Sequence, residues 1–288
     1  MKLFRFGQPE KEYPGVVIQG KHYDASAFGK DYDEDFFNQD GLVKLQQYID
    51  QHIDNLKEVP AGTRLGPVIH KPGKLICIGL NYRDHAKETN AAIPAEPIVF
   101  LKAQTAICGP NDDLVLPKNS KKTDWEVELA VVIGKRASYV PEAEAGDYIA
   151  GYVLHNDYSE REFQLERGGQ WVKGKSCDSF APLGPYLVTA DEIADVDNLG
   201  MWLKVNGNIR QNSSTSQMIF KVPYLIHYLS QFMTLAPGDI ISTGTPHGVG
   251  LGFNPPQYLK EGDVVELGIE DLGSSSQKVR AYEPHSIF

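Results

Sequence analysis

The stretch Asp124-Trp125-Glu126-Val127-Glu128-Leu129-Ala130-Val131-Val132-Ile133 decides how the rest of the chain is read. It reads as a short β run over residues 126–133. Side chains alternate along a strand, so Glu126 and Glu128 share one face while Trp125, Val127 and Leu129 share the other. Carboxylates about 7 Å apart on one face repel each other unless water or a cation screens them. Two readings follow: the solvated face of a half-buried strand, or a site for a hard cation such as Mg²⁺, Mn²⁺ or Ca²⁺. A third oxygen ligand would decide between them. Asp157, which ends the apolar run 148–154, is the candidate; the competing reading makes it the N-cap of a helix.

Outward from this strand, residues 75–78, 98–101, 149–155, 202–205, 240–243 and 264–269 also read as short β runs between turns. With 27 Gly and 18 Pro in 288 residues, they predict a β-rich core closing on itself rather than a series of βαβ units. One helix is expected inside it, over 220–233, with Leu225, Ile226, Leu229 and Phe232 along one face. Ahead of this core, residues 2–6 and 15–18 read as strands, with a turn at Gly20-Lys21 leading to His22-Tyr23. Leu42, Leu45, Tyr48, Ile49, Ile53 and Leu56 recur at helical spacing. Residues 58–73 carry three Pro and three Gly and read as a linker. The expected division is a small N-terminal α+β domain with linker over 1–70 and a catalytic domain over 71–288.

Acidic residues number 38 and basic ones 28, for a formal net charge of −10, with no clustered Lys/Arg face. That balance argues against a nucleic-acid partner or an anionic membrane surface. No apolar run approaches the roughly 18 residues that span a bilayer, and the N-terminal residues lack a secretory pattern. Cys77, Cys108 and Cys177 are odd in number with no CxxC pair, so free thiols and a cytoplasmic location are expected.

Three further segments carry chemistry. In Gly79-Leu-Asn-Tyr-Arg-Asp-His-Ala-Lys-Glu88, a helical turn would make His85 and Glu88 i, i+3 neighbours. A carboxylate beside an imidazole fixes its tautomer and raises its basicity, as a water-activating base requires; an ordinary solvated pair is the alternative. Lys175 follows Gly174, where the chain bends easily to aim an ammonium inward, or the lysine is simply solvated. Thr243-Gly-Thr-Pro-His-Gly-Val-Gly250 offers a hydroxyl and backbone N–H groups suited to a carboxylate. It has neither Walker nor GxGxxG spacing, and GxSxG and HExxH are also missing.

These segments, together with Phe100-Leu-Lys102, Trp125–Leu129, Gly151-Tyr152 through Asn156-Asp157, Gly174-Lys-Ser176 and Thr243–Pro246, resemble the fumarylacetoacetate hydrolase family from about residue 74 to 279. The resemblance is strongest to bacterial members acting on 2,4-dioxo-3-deoxy sugar acids such as 2,4-didehydro-3-deoxy-L-rhamnonate. It implies a mixed β-sandwich roll with a small N-terminal α+β domain, usually as a homodimer. It also implies Mg²⁺ or Mn²⁺ on Glu126, Glu128 and Asp157, a lid dyad of His85 and Glu88, and a substrate-facing Lys175. Arg83, Arg161, Gln164 and Thr245 fall where the family has substrate contacts. The implied reaction is hydrolysis of the C3–C4 bond of a small 2,4-dioxo acid to pyruvate and a hydroxy acid or carboxylate. Oxaloacetate decarboxylation, dioxo-acid isomerisation and a non-catalytic metal-binding dimer are the rivals.

Overall fold

A computed structural model of the chain describes residues 1–284. Its centre is the strand Val127–Ile133, buried at every position. This is the highest concentration of β-branched and aliphatic residues around the candidate site, and such residues pack best on a pleated surface covered on both sides. It lies in an 11-stranded sheet between Ile149–Asn156 and Ile240–Ser242, antiparallel to both. Ile240–Ser242 continues, in parallel, to Leu75–Gly79 and then to Ile98–Lys102 at the edge.

A second sheet of five strands, Asn208–Ser214, Gly200–Val205, Val264–Ile269, Gly273–Arg280 and Leu114–Val115, packs across the first. The contact runs from Val127–Ile133 and Ile149–Asn156 to Gly200–Val205 and Val264–Ile269. The result is a β-rich α+β fold, a mixed β-sandwich roll. Alternation assigns the faces. Asn156 stands opposite Val127 and reaches Gln277 of the second sheet, so Val127, Leu129 and Val131 face the sandwich core. Glu128, Ala130 and Val132 therefore face the other way.

On that outer face, residues paired across strands share a side. Glu128 pairs with His155. A row of direct neighbours runs from Ala130 to Ser242, Cys77 and Phe100, with Lys102 two residues beyond Phe100. The sheet thus gathers a carboxylate, an imidazole, a hydroxyl and an ammonium on one buried surface.

Several expectations need correction. Glu126 lies one residue before the strand, between it and a two-stranded ladder of Thr123–Asp124 with Ser159–Glu160. The expected helix at 220–233 spans only Val222–Ser230, and Phe232 is 66% exposed, its ring edge-on to Tyr228. The helix ends where Gln231 and Phe232 make tight-turn bonds to the preceding carbonyls. Residues 58–73 are packed: Leu65–Gly66 pairs with Lys2–Gln8, and Val68 and Ile69 are fully buried. The strand Lys2–Gln8 itself pairs with Ala181–Thr189 of the large sheet, Leu3 opposite Leu187. That sheet therefore runs without a break from the N-terminal hairpin to the strands that carry Glu128 and His155.

Leu3 is fully buried in this shared core. Leu3→Ala is expected to cost about 2–5 kcal/mol, by lost burial plus the cavity left behind. A lowered urea midpoint with unchanged slope checks it.

Candidate active site

Glu126, Glu128 and Asp157 each offer a carboxylate oxygen, and these oxygens lie within 4.8 Å of one another. All three residues are buried. The local backbone brings them together: Asp157 N donates to Glu126 O at 2.9 Å, and Glu126 N donates to Asn156 Oδ1 at 3.1 Å. The solvated-face reading of the glutamates is excluded by their burial. The helix-cap reading of Asp157 is excluded because a short strand follows and its carboxylate is spent on lysines.

Three buried carboxylates require compensating charge. Lys175 Nζ lies 2.7 Å from both Glu126 Oε2 and Asp157 Oδ2. Lys102 Nζ donates to Asp157 Oδ1 and, at 3.0 Å, to Tyr158 O. Arg161 Nε donates to Asp124 Oδ2 at 2.8 Å, and its NH2 makes an ion pair with Glu126 Oε1 at 2.7 Å rather than an aligned hydrogen bond. The acidities divide accordingly. Burial pushes the Asp157 carboxyl up, but Lys102 and Lys175 outweigh it and hold it far below the usual carboxylate range. Glu126 is lowered too, burial being overcome by Lys175 and Arg161. Glu128 is driven well above its ordinary value by burial and then by the charges of Asp157 and Glu126. Burial opposes the charge of Lys175, yet Asp157 and Glu126 raise its pKa.

Lys175 ends the one-turn helix Val172–Lys175. Gly174 serves there by close approach rather than by bending: a Cβ on it would lie 2.4 Å from Glu160 O and 2.6 Å from Gln164 N. The Lys175 ammonium also sits 5.0 Å from the centre of the Phe100 ring. Lys102 is the site residue that sequence reading left without a role, although the motif Phe100-Leu-Lys102 was in view. The available signal was a lysine two residues after an aromatic at the end of an apolar run.

The short helix Arg83–Glu88 carries His85 and Glu88, with His85 Nδ1 3.1 Å from Glu88 Oε2. Glu88 Oε1 accepts from Gly248 N at 2.9 Å, and Gly248 O accepts from Trp125 Nε1 at 3.0 Å. The dyad is thereby tied to the residue that precedes Glu126. Gly248 has φ +96°, and a Cβ there would stand 1.9 Å from Arg210 O, so only glycine permits this link.

The remaining expected contacts are placed as follows. Gln164 Oε1 accepts from Arg161 at 3.0 Å. Thr245 Oγ1 donates to Val127 O at 3.0 Å and accepts from Gln211, while Gly244 N from the same loop donates to Glu128 Oε2 at 3.1 Å. Arg83 NH1 donates to Met218 O at 2.8 Å. Arg161 and Gln164 therefore join the acidic cluster, whereas Thr245 and Arg83 are bonded to backbone carbonyls. A cavity of about 850 Å³ lies apart from this chemistry, among Arg5, Arg64, His70, Gln104 and Arg280.

A hard divalent cation fits the residues present. Every candidate ligand is a carboxylate oxygen, the donor type that Mg²⁺ and Mn²⁺ select, and an ion about 2.1 Å from each would hold its oxygens about 3–4 Å apart. Glu128, burdened by like charge, gains most from such an ion.

Residues 74–280 match the family model described as "Fumarylacetoacetate (FAA) hydrolase C-terminal". The chain is 50% identical over 283 residues to a Burkholderia multivorans protein named "Putative hydrolase", covering 98% of this chain and 99% of that one. Among solved structures it is similar to maleylpyruvate hydrolase from Sphingobium sp. SYK-6, in complex with manganese(II) and pyruvate. That match has TM-score 0.83 and 30% identity over 98% of this chain and all of the other. It is also similar to 2-hydroxyhepta-2,4-diene-1,7-dioate isomerase from Mycobacterium marinum, with TM-score 0.74 and 31% identity over 99% of this chain and all of the other.

Lys102→Met removes one of the two ammoniums that neutralise buried Asp157. Breaking a buried pair in this way is expected to cost about 3–5 kcal/mol. A lowered melting temperature of the metal-free protein is the measurement.

Proposed function

The chain belongs to the fumarylacetoacetate hydrolase family, and from that premise we propose that it is a divalent-cation-dependent hydrolase of 2,4-dioxo acids. It cleaves the C3–C4 bond to give pyruvate and a hydroxy acid or carboxylate. The observation that carries the reading is the convergence of Glu126, Glu128 and Asp157 with the Lys175 ammonium between two of them. Within this class the substrate is a 3-deoxy sugar acid of the 2,4-didehydro-3-deoxy-L-rhamnonate type, and the working form is a cytoplasmic homodimer. The family resemblance of the motifs supports the substrate class and the dimer, and the three unpaired cysteines support the location.

Glu126, Glu128 and Asp157 would hold Mg²⁺ or Mn²⁺. When bound, the cation supplies Lewis-acid polarisation of the substrate's carbonyl oxygens. His85, its Nδ1 engaged by Glu88, offers Nε2 to take a proton from a water that adds to C4. The C3–C4 bond then breaks, and its electron pair passes to the C2 carbonyl as pyruvate enolate. The fixed ammonium of Lys175 faces that developing negative charge and needs no reorganisation to do so. Protonation at C3 completes pyruvate, and C4 departs as the new carboxylate. Arg161 and Gln164 line the approach, and the helix Arg83–Glu88 covers it to exclude bulk water.

A panel of 2,4-dioxo acids with pyruvate followed by a coupled dehydrogenase tests the reading. Turnover is expected on sugar-derived dioxo acids, abolished by chelator and restored by Mn²⁺ or Mg²⁺. His85→Ala should lower kcat about 10²–10⁴-fold without loss of cation binding. A rearranged dioxo acid with no pyruvate, or turnover confined to CO₂ release from oxaloacetate, would replace hydrolysis by a rival activity.

A further inference from the structure

Behind the acidic cluster lies a hydrogen-bonded chain that the proposed reaction does not use. His155 and Ser242 stand on the two strands flanking Val127–Ile133, yet His155 Nδ1 lies 2.6 Å from Ser242 Oγ. They meet across that strand because Ser242's direct neighbour is Ala130, a small side chain on the same face. Ser242 Oγ in turn donates to Glu128 Oε2 at 2.5 Å. Both His155 and Ser242 are fully buried.

The proton positions follow from these partners. With Glu128 ionised, as a cation ligand must be, Ser242 gives its only hydrogen to Oε2. Ser242 Oγ then accepts, so His155 donates from Nδ1. His155 Nε2 is buried without a hydrogen-bond partner among the described residues, and a proton there would be an orphan donor in the interior. The hydrogen-bond chain thus assigns the Nδ1–H tautomer. Gly244 N also donates to Oε2, at 3.1 Å, so both donors hold the same oxygen of Glu128.

We propose that His155 is a positioning residue of the cation site. By donating to Ser242 it fixes the serine hydrogen on Glu128 Oε2, which leaves Oε1 as the oxygen this carboxylate gives to the ion. The inference rests on the cation-binding part of the proposed function and is independent of which dioxo acid is the substrate. It acts through orientation of a ligand, as partners behind metal ligands do elsewhere.

The test is Mn²⁺ titration of the full chain by calorimetry and by electron paramagnetic resonance of the free ion, with near-UV circular dichroism reporting the fold. His155→Leu, which keeps volume and removes the donor, and Ser242→Ala should each weaken Mn²⁺ about 10-fold or more. His155→Asn places an amide nitrogen where Nδ1 was and should recover binding to within about threefold of the wild type. The His155→Leu/Ser242→Ala double variant should be no weaker than the weaker single, because both changes break one chain. If His155→Leu fails to fold, Ser242→Ala and His155→Asn still carry the comparison. A folded His155→Leu or Ser242→Ala that binds Mn²⁺ like the wild type overturns the proposal. Equal losses in His155→Leu and His155→Asn would assign the effect to packing and overturn it as well. A wild-type chain that binds no Mn²⁺ would overturn the cation reading itself along with this one.

Discussion

The placement of Asp157 is the constraint on which the rest of the site depends. A carboxylate with no solvent exposure loses its hydration, and a protein tolerates that only when fixed opposite charge replaces it. Here the replacement comes from two lysines, Lys102 and Lys175, that reach it from different parts of the chain. Each ammonium must arrive with its own geometry, so the packing around it is determined in turn. Lys102 ends the sheet-edge strand, and Lys175 needs Gly174 pressed against the Glu160 carbonyl.

The two glutamates extend the same problem. Glu126 shares Lys175 with Asp157 and adds Arg161, whereas Glu128 accepts, among the described residues, from two neutral donors, the Ser242 hydroxyl and the Gly244 amide. The cluster is therefore uneven, with the carboxyl pKa lowered at Glu126 and Asp157 and raised at Glu128. Such a division of acidities within a few ångströms marks functional sites more often than structural ones. His85 and Glu88 are linked to the same construction by hydrogen bonds through Gly248 to Trp125, the residue before Glu126.

Much of this was legible in the chain itself, and the exceptions have physical causes. Apolar β runs gave the strands at Leu75–Gly79, Val127–Ile133 and Ile149–Asn156, because buried strands concentrate aliphatic side chains. The strand Ala181–Thr189 escaped, since Pro182, Gly184 and Pro185 within it argue against a central position; the sheet accommodates them at a register shift beside Val153 and His155. Gly273–Arg280 escaped because its inward residues include Ser275 and Gln277, and Gln277 is buried for its bond to Tyr158. Glu126, Glu128 and Asp157 could be named from residue type and motif, but their burial could not, since it depends on partners distant in the chain: Lys102, Lys175 and Arg161 for Asp157 and Glu126, and Ser242 and Gly244 for Glu128. Lys102 was invisible as a partner for the same reason: its role is defined by a residue 55 positions away.

The pairing of Lys2–Gln8 with Ala181–Thr189 also sets a timetable for synthesis. At about 5–20 residues per second, roughly 10–40 seconds separate translation of the first strand from translation of its partner. During that interval Leu65–Gly66 can cover Arg5 and Phe6, but the Lys2–Leu3 end of the strand keeps an open edge, the kind of edge that can pair with another chain. A pairing between segments so far apart in sequence raises the contact order, which slows folding.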